Sequence, residues 1–182
     1  MKLVTTLILL ALSVPALAAD YVVDKEGQHA YIIFKASHLG YSYIIGHFED
    51  FDGSFTHDAQ DPSKARVAVN IRTASLDSDH AERDKHLKGS DYLDVGKYPN
   101  ASFVSTGYEG TGTEGKLKGN LELRGISKEI TIDVKQIGEG KDPWGGYRSG
   151  FEGSVTLQAA DFGLPAWIGA IEMDLILEGV RQ

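Results

Sequence analysis

The chain contains no cysteine, which excludes a disulfide framework, a thiolate metal site and a cysteine nucleophile together. Stability must come from an apolar core. Base is also in short supply, with 18 Lys and Arg against 26 Asp and Glu and a formal net charge of -8. A groove for nucleic acid needs clustered Lys and Arg to neutralise phosphates, so no nucleic-acid partner is expected. Proline is scarce at five residues, and no Pro/Ser-rich linker or block of like charge divides the chain. One domain follows.

Only one long apolar run exists, Leu3 to Leu12, and it is too short to span a bilayer. It follows Met1-Lys2 and leads to Ala16-Leu17-Ala18, small residues of the kind signal peptidase accepts. We expect a signal peptide over residues 1–18, cleaved after Ala18, and a soluble exported domain over residues 19–182. Loss of Lys2 shifts the formal charge from -8 to -9.

What the sequence has in abundance is two-residue alternation. In KLKGNLELR, Leu117, Gly119, Leu121 and Leu123 alternate with Lys116, Lys118, Asn120, Glu122 and Arg124, the period of a half-buried strand. Ile130, Ile132 and Val134 repeat the pattern after a gap short enough for a hairpin. Similar rows run through Ile32 and Phe34, Val67 to Ile71, Phe151 to Leu157, and Ile171 to Leu177. With Val22, Phe103 and the Phe48 to Phe55 region, about eight strands result, separated by Gly-rich turns.

Strands with one apolar face and almost no helix to cover them bury those faces against each other, in a sandwich or a barrel. Closure into a barrel removes exposed edges, and at about eight strands the interior is either packed or holds one small ligand. Gly119 and Gly153 fall on apolar faces, where they mark either bulges and corners or space left for a guest. Phe48 and Phe51 break the alternation, which predicts a bulge between them. DPWGG, Asp142 to Gly146, reads as a hairpin turn.

The most chemically crowded stretch is HAERDKHLKGSDYLDVGKYP, His80 to Pro99. Asp79 as cap, Glu82 reaching back and Gly89 as a left-handed stop predict a short helix from His80 to Lys88. Glu82 with His86 and Asp84 with Lys88 are pairs one turn apart, and the apolar residues are too few for a buried stripe. His80 and His86 are six apart and do not share an ion as a zinc helix does. An exported enzyme using Glu82, Asp84 and His86 is the alternative, but no serine elbow or second partner has a recognisable setting. His29, His38, His47 and His57 are irregularly spaced and give no metal motif. The capped, solvated helix is the simpler reading.

Three stretches taken together resemble a known family: FKASHLGYSYIIGHFEDFDGSF (34–55), DSDHAERDKHLKGSDYLDVGKYPNASF (77–103) and GKDPWGGYRSGFEG (140–153). They are similar to the YceI family of periplasmic proteins, also called the polyisoprenoid-binding or YceI-like lipocalin family. The run Asp84-Lys85-His86-Leu87 with the later Tyr98-Pro99 is the specific part of the match. The resemblance implies an all-β, extended lipocalin-like barrel of eight antiparallel strands, with the short helix in a strand crossover. It also implies a periplasmic location, a bound polyisoprenoid or isoprenoid-quinone-like lipid, no other cofactor and no metal, and no enzymatic activity.

On that reading the cavity is lined by Ile32, Phe34, Phe48, Phe51, Val69, Phe103, Leu121, Ile132, Phe151, Val155, Met173 and Leu175. His38, Tyr43, Tyr147 and Arg148, in turns flanking apolar strands, are the candidates to hold a head group. A homodimer and a transient membrane-protein partner are compatible with the resemblance. A solid-cored stress or interaction module is the remaining alternative.

Overall fold

The computed structural model describes residues 18–27 and 29–182. The apolar run read as an export signal lies outside these residues. Among the described residues there are eleven strands: β1 (Ala19–Val23), β2 (Tyr31–His38), β3 (Ser42–Phe48), β4 (Phe51–His57), β5 (Arg66–Arg72), β6 (Leu76–Asp77), β7 (Asn100–Gly110), β8 (Glu114–Leu123), β9 (Ile126–Lys141), β10 (Tyr147–Gln158) and β11 (Ala170–Arg181). Alternation forms them: in β8, Leu117 and Gly119 are buried while Lys116, Asn120 and Glu122 are exposed.

All neighbouring strands are antiparallel, and β1 pairs with both β4 and β11, which closes the sheet. Six of the strands act as three broken staves. β11 takes β1 as partner near its end, with Tyr21 opposite Arg181, and β2 near its start, with Ile171 opposite Ala36. β4 and β3 continue the next stave in the same way, as do β5 and β6. Counted as staves, the fold is an eight-stranded antiparallel barrel with one short helix, as expected.

The break between β3 and β4 corrects the bulge predicted at Phe48 and Phe51. Glu49 N–H donates to the Ser75 carbonyl and Arg72 N–H to the Asp50 carbonyl, so the chain changes ladders here instead of carrying one extra residue within a strand.

Helix α1 (Ala81–Leu87) sits in the crossover before β7. Its cap is His80, whose Nδ1 accepts from the Arg83 N–H at 3.2 Å, and not Asp79, which is itself left-handed at φ 61°. The helix begins one residue later than expected, so the capping role moves by one. Gly89 is not left-handed either; Asp94 takes that conformation further on, at φ 48°. Asp84 turns away from Lys88 and accepts from the Ser78 N–H at 2.9 Å.

Two seams of the barrel are incomplete: β7 pairs with β5 only over Asn100 to Val104, leaving Ser105 to Gly110 on β8 alone, and the second lies between β9 and β10. β9 pairs with β8 over Ile126 to Lys135 but with β10 only over Asp133 to Lys141. Its ladder with β10 ends at Ser154 opposite Asp133, so Val155 to Gln158 hydrogen-bond to β11 alone. A strap between β10 and β11, residues 159–169, lies against the top of this seam. Arg124 donates to the Gly163 carbonyl at 2.6 Å and Lys128 meets Asp161 at 3.7 Å, while Ala159, Phe162 and Leu164 are buried.

Candidate ligand-binding cavity

The inward rows enclose a cavity of about 150 Å³. It runs from His57, Tyr108 and Thr111 at one end to Leu121, Ile130 and Leu157 towards the other. Along β10 alone the lining spans Phe151 to Leu157, about 20 Å at the usual rise per residue. The wall is mainly aliphatic and aromatic, and among the described residues neither Lys nor Arg lines it.

Nine of the twelve expected lining residues face this space: Ile32, Val69, Phe103, Leu121, Ile132, Phe151, Val155, Met173 and Leu175. The other three do not. Phe51 is buried behind the cavity wall, in a cluster with Val23, Ile32, Val69, Ile71 and Ala101, against which Phe48 packs half-buried. Phe34 sits over Gly46, its cross-strand neighbour, with its ring centroid 6.2 Å from that of Phe48. Phe34 and Phe48 belong to β2 and β3, beyond the ring that β1 closes, and Phe51 opens β4 just after the break.

The inward glycines differ in purpose. A Cβ on Gly119 would lie 2.4 Å from the Phe103 ring, so its missing side chain makes room for an aromatic and leaves no void. Gly153 lines the cavity, and a Cβ there would meet Ile132 Cγ2 at 3.1 Å and Leu175 Cδ1 at 3.6 Å.

The four head-group candidates do not converge. Residues His38 and Tyr43 belong to the β2–β3 hairpin, beside the start of β11, whereas Tyr147 and Arg148 lie beside its end. His38 and Tyr43 are exposed, and the Lys35 ammonium lies 4.4 Å above the Tyr43 ring. Tyr147 packs against the Tyr21 and Phe55 cluster.

Arg148 is fully engaged on the outer face. Its guanidinium reaches Asp24, Glu178 at 2.7 Å and Asp142 at 3.0 Å. Those carboxylates, Asp24 foremost, raise its pKa further, and the Arg148 hydrogen bond in turn lowers that of Asp24. Ligand atoms of Asp24, His29 and Glu178 lie within 4.8 Å of one another, but the cation between the two carboxylates is the protein's own arginine.

The Glu82, Asp84 and His86 group stands outside the cavity. Glu82 and His86 are exposed on α1, Asp84 is held by Ser78, and the His86 ring packs edge-on to Tyr92 at 4.9 Å.

Sequence reasoning missed a polar cluster at the His57 end of the cavity. His57 Nε2 lies 3.5 Å from Gln136 Nε2 and 3.8 Å from Glu139 Oε2, and Gln136 donates to Ser149 Oγ at 3.4 Å. The His57 ring stands edge-on to Phe151 at 5.1 Å. A signal was present: His57 is in phase with Phe51 and Phe55, Gln136 with Ile130, Ile132 and Val134, and Ser149 with Phe151 and Val155. Each is the polar end of an inward row. Past Gln136 the register of β9 shifts, with Phe151 opposite Gln136 and Gly150 opposite Gly138, which brings Glu139 opposite the inward Ser149; Ile137, out of phase with Gln136, is 61% exposed.

Comparison with known proteins places this architecture. A UPF0312 protein of Azotobacter vinelandii is 56% identical over 172 residues, covering 92% of this chain and 90% of that one. The crystal structure of Burkholderia cenocepacia BcnA superposes with a TM-score of 0.75 at 19% identity, covering 86% of this chain and 98% of that one. A polyisoprenoid binding domain from Saccharophagus degradans, implicated in plant cell wall breakdown, gives a TM-score of 0.65 at 13% identity over 91% of this chain and 99% of that one. Residues 21–180, almost all that the barrel comprises, match the family described as YceI-like domain, and the chain belongs to that family.

Proposed function

We propose that this protein is a non-enzymatic carrier or store for a long-chain lipid, an isoprenoid or isoprenoid-quinone-like molecule, held inside the barrel after export to the periplasm. The observation that carries the reading is the elongated cavity walled by aliphatic and aromatic side chains. A solved relative in fold is named a polyisoprenoid binding domain, and the leading apolar run supports export.

Binding of this kind needs no reactive residue. Each buried methylene contributes about 0.8 kcal/mol, so several isoprene units offset the roughly 4–15 kcal/mol of lost translational and rotational freedom. The cavity, at about 150 Å³, is smaller than the roughly 300–1,000 Å³ of common small-molecule sites. A long guest therefore enters by widening the barrel, and the stretch of the β9–β10 seam where Val155 to Gln158 have no partner on β9 is where the wall parts without loss of ladder hydrogen bonds.

Native mass spectrometry of gently purified protein, with uptake of an added polyprenol, tests the reading. A bound mass that matches a lipid, or saturable polyprenol uptake, is expected; an empty protein that takes up no polyprenol rejects it.

A further inference from the structure

The polar residues that touch the cavity are Thr56, His57, Tyr108, Thr111 and Glu152, and four of them are already occupied. Thr56 Oγ1 donates to Asp20 at 2.6 Å, Tyr108 Oη to the Thr111 carbonyl at 2.7 Å, and Thr111 Oγ1 accepts from the Glu114 N–H at 3.1 Å. Glu152 pairs with Lys135 at 3.4 Å on the outer face. His57 is different. It is nine-tenths buried at 9% exposure, its Nε2 makes only the long approaches to Gln136 and Glu139, and among the described residues nothing hydrogen-bonds to its Nδ1.

We infer that His57 is the anchor for one neutral oxygen of the guest, a hydroxyl or carbonyl at the end of an apolar chain. This rests on the lipid-binding reading above and adds the chemistry of the buried end group. A buried imidazole with a free nitrogen gains a partner from such an oxygen. A hydrocarbon supplies none. An anionic phosphate meets the opposite difficulty, because among the described residues neither Lys nor Arg lines the cavity and an unpaired buried charge is costly. A protonated His57 does not remedy this, since the Glu139 carboxylate 3.8 Å away is already its counter-charge. A guest with a phosphate head is left with its charge outside and its tail within.

The test compares three probes of one carbon skeleton, a prenol, the corresponding hydrocarbon and the prenyl diphosphate, on the full mature protein. The wild type is expected to bind the prenol several-fold to about tenfold more tightly than the hydrocarbon, the range one hydrogen bond supplies, and more tightly than the diphosphate. His57→Leu is expected to lose the preference while still binding the hydrocarbon. Nitrogen NMR of the His57 imidazole gives a readout independent of any variant, shifting on addition of prenol and not of hydrocarbon. Equal affinities for prenol and hydrocarbon, a preference that survives His57→Leu, or tightest binding of the diphosphate each overturn the inference. Failure of all three probes to bind rejects the lipid-binding reading itself, and this inference with it.

Discussion

The ring of Phe103 lies across Gly119, so close that a Cβ there would stand 2.4 Å from its Cζ atom and 2.6 Å from the Val104 carbonyl oxygen. The two residues sit diagonally on paired strands, Phe103 opposite Leu121 and Gly119 opposite Ser105. An aromatic laid over a strand glycine restores the apolar contact that the glycine lacks. Phe34 over Gly46 and Phe55 over Gly179 repeat the arrangement.

Gly119→Ala is therefore an overpacking mutation and should destabilise the barrel by about 1–3 kcal/mol, read as a lower denaturation midpoint in urea. An unchanged midpoint is incompatible with the ring resting where it does.

Gly153 behaves in the opposite way, because it borders the cavity. Gly153→Leu should leave the far-ultraviolet circular dichroism of a folded β-protein intact and reduce polyprenol uptake at least several-fold, the added side chain taking space from the guest. Normal uptake by the folded variant means that the guest lies elsewhere.

Removing Arg148 strands the buried Asp24 carboxylate and leaves Glu178 and Asp142 without their shared cation. Arg148→Met should cost about 2–4 kcal/mol, measured by urea unfolding at neutral pH. The pH dependence has a definite sign. Asp24 has a folded pKa below its ordinary 3.8, so its contribution is present above that value and disappears as pH falls through the lowered one. The stability gap between wild type and variant should shrink on acidification below about pH 4, and a gap that widens there contradicts the assignment.

Because the chain lacks cysteine, two introduced thiols are the only ones present. Thr131 and Thr156 are exposed on either side of the unpaired seam. Bridging Thr131→Cys to Thr156→Cys with a reducible bifunctional reagent should slow polyprenol uptake at least tenfold, and reduction should restore it. An unaltered rate shows that the guest passes by another route.

The strands were legible because one face is dry and the other wet, and the period of Leu117 to Leu123 has no competing helical interpretation. The broken staves were not. Their continuity is written in pairings such as Tyr21 with Arg181 and Tyr31 with Ile176, and local patterning carries no information on partners so distant. The same limit hid the role of Arg148, whose contact with Asp24 spans 124 residues. A position in a turn made it look available for a ligand, when three carboxylates had already engaged it. His57 was overlooked for a different reason. The spacing between histidines says nothing of its role, which lies in its phase with Phe51 and Phe55 along β4.

At the seam, Val155 to Gln158 on one side and Ile126 to Ile132 on the other face each other without a rung between them. Along the paired ladders of the girdle, swelling the container would mean tearing amide from carbonyl. Here it means only drawing apart the facing rows of Ile130 and Ile132 on one lip and Val155 and Leu157 on the other, and an oily chain that slides between them restores the contacts it displaces. The capacity of the vessel is thus governed by how far two lips can part, and a guest of growing length is accommodated without dismantling the hoop.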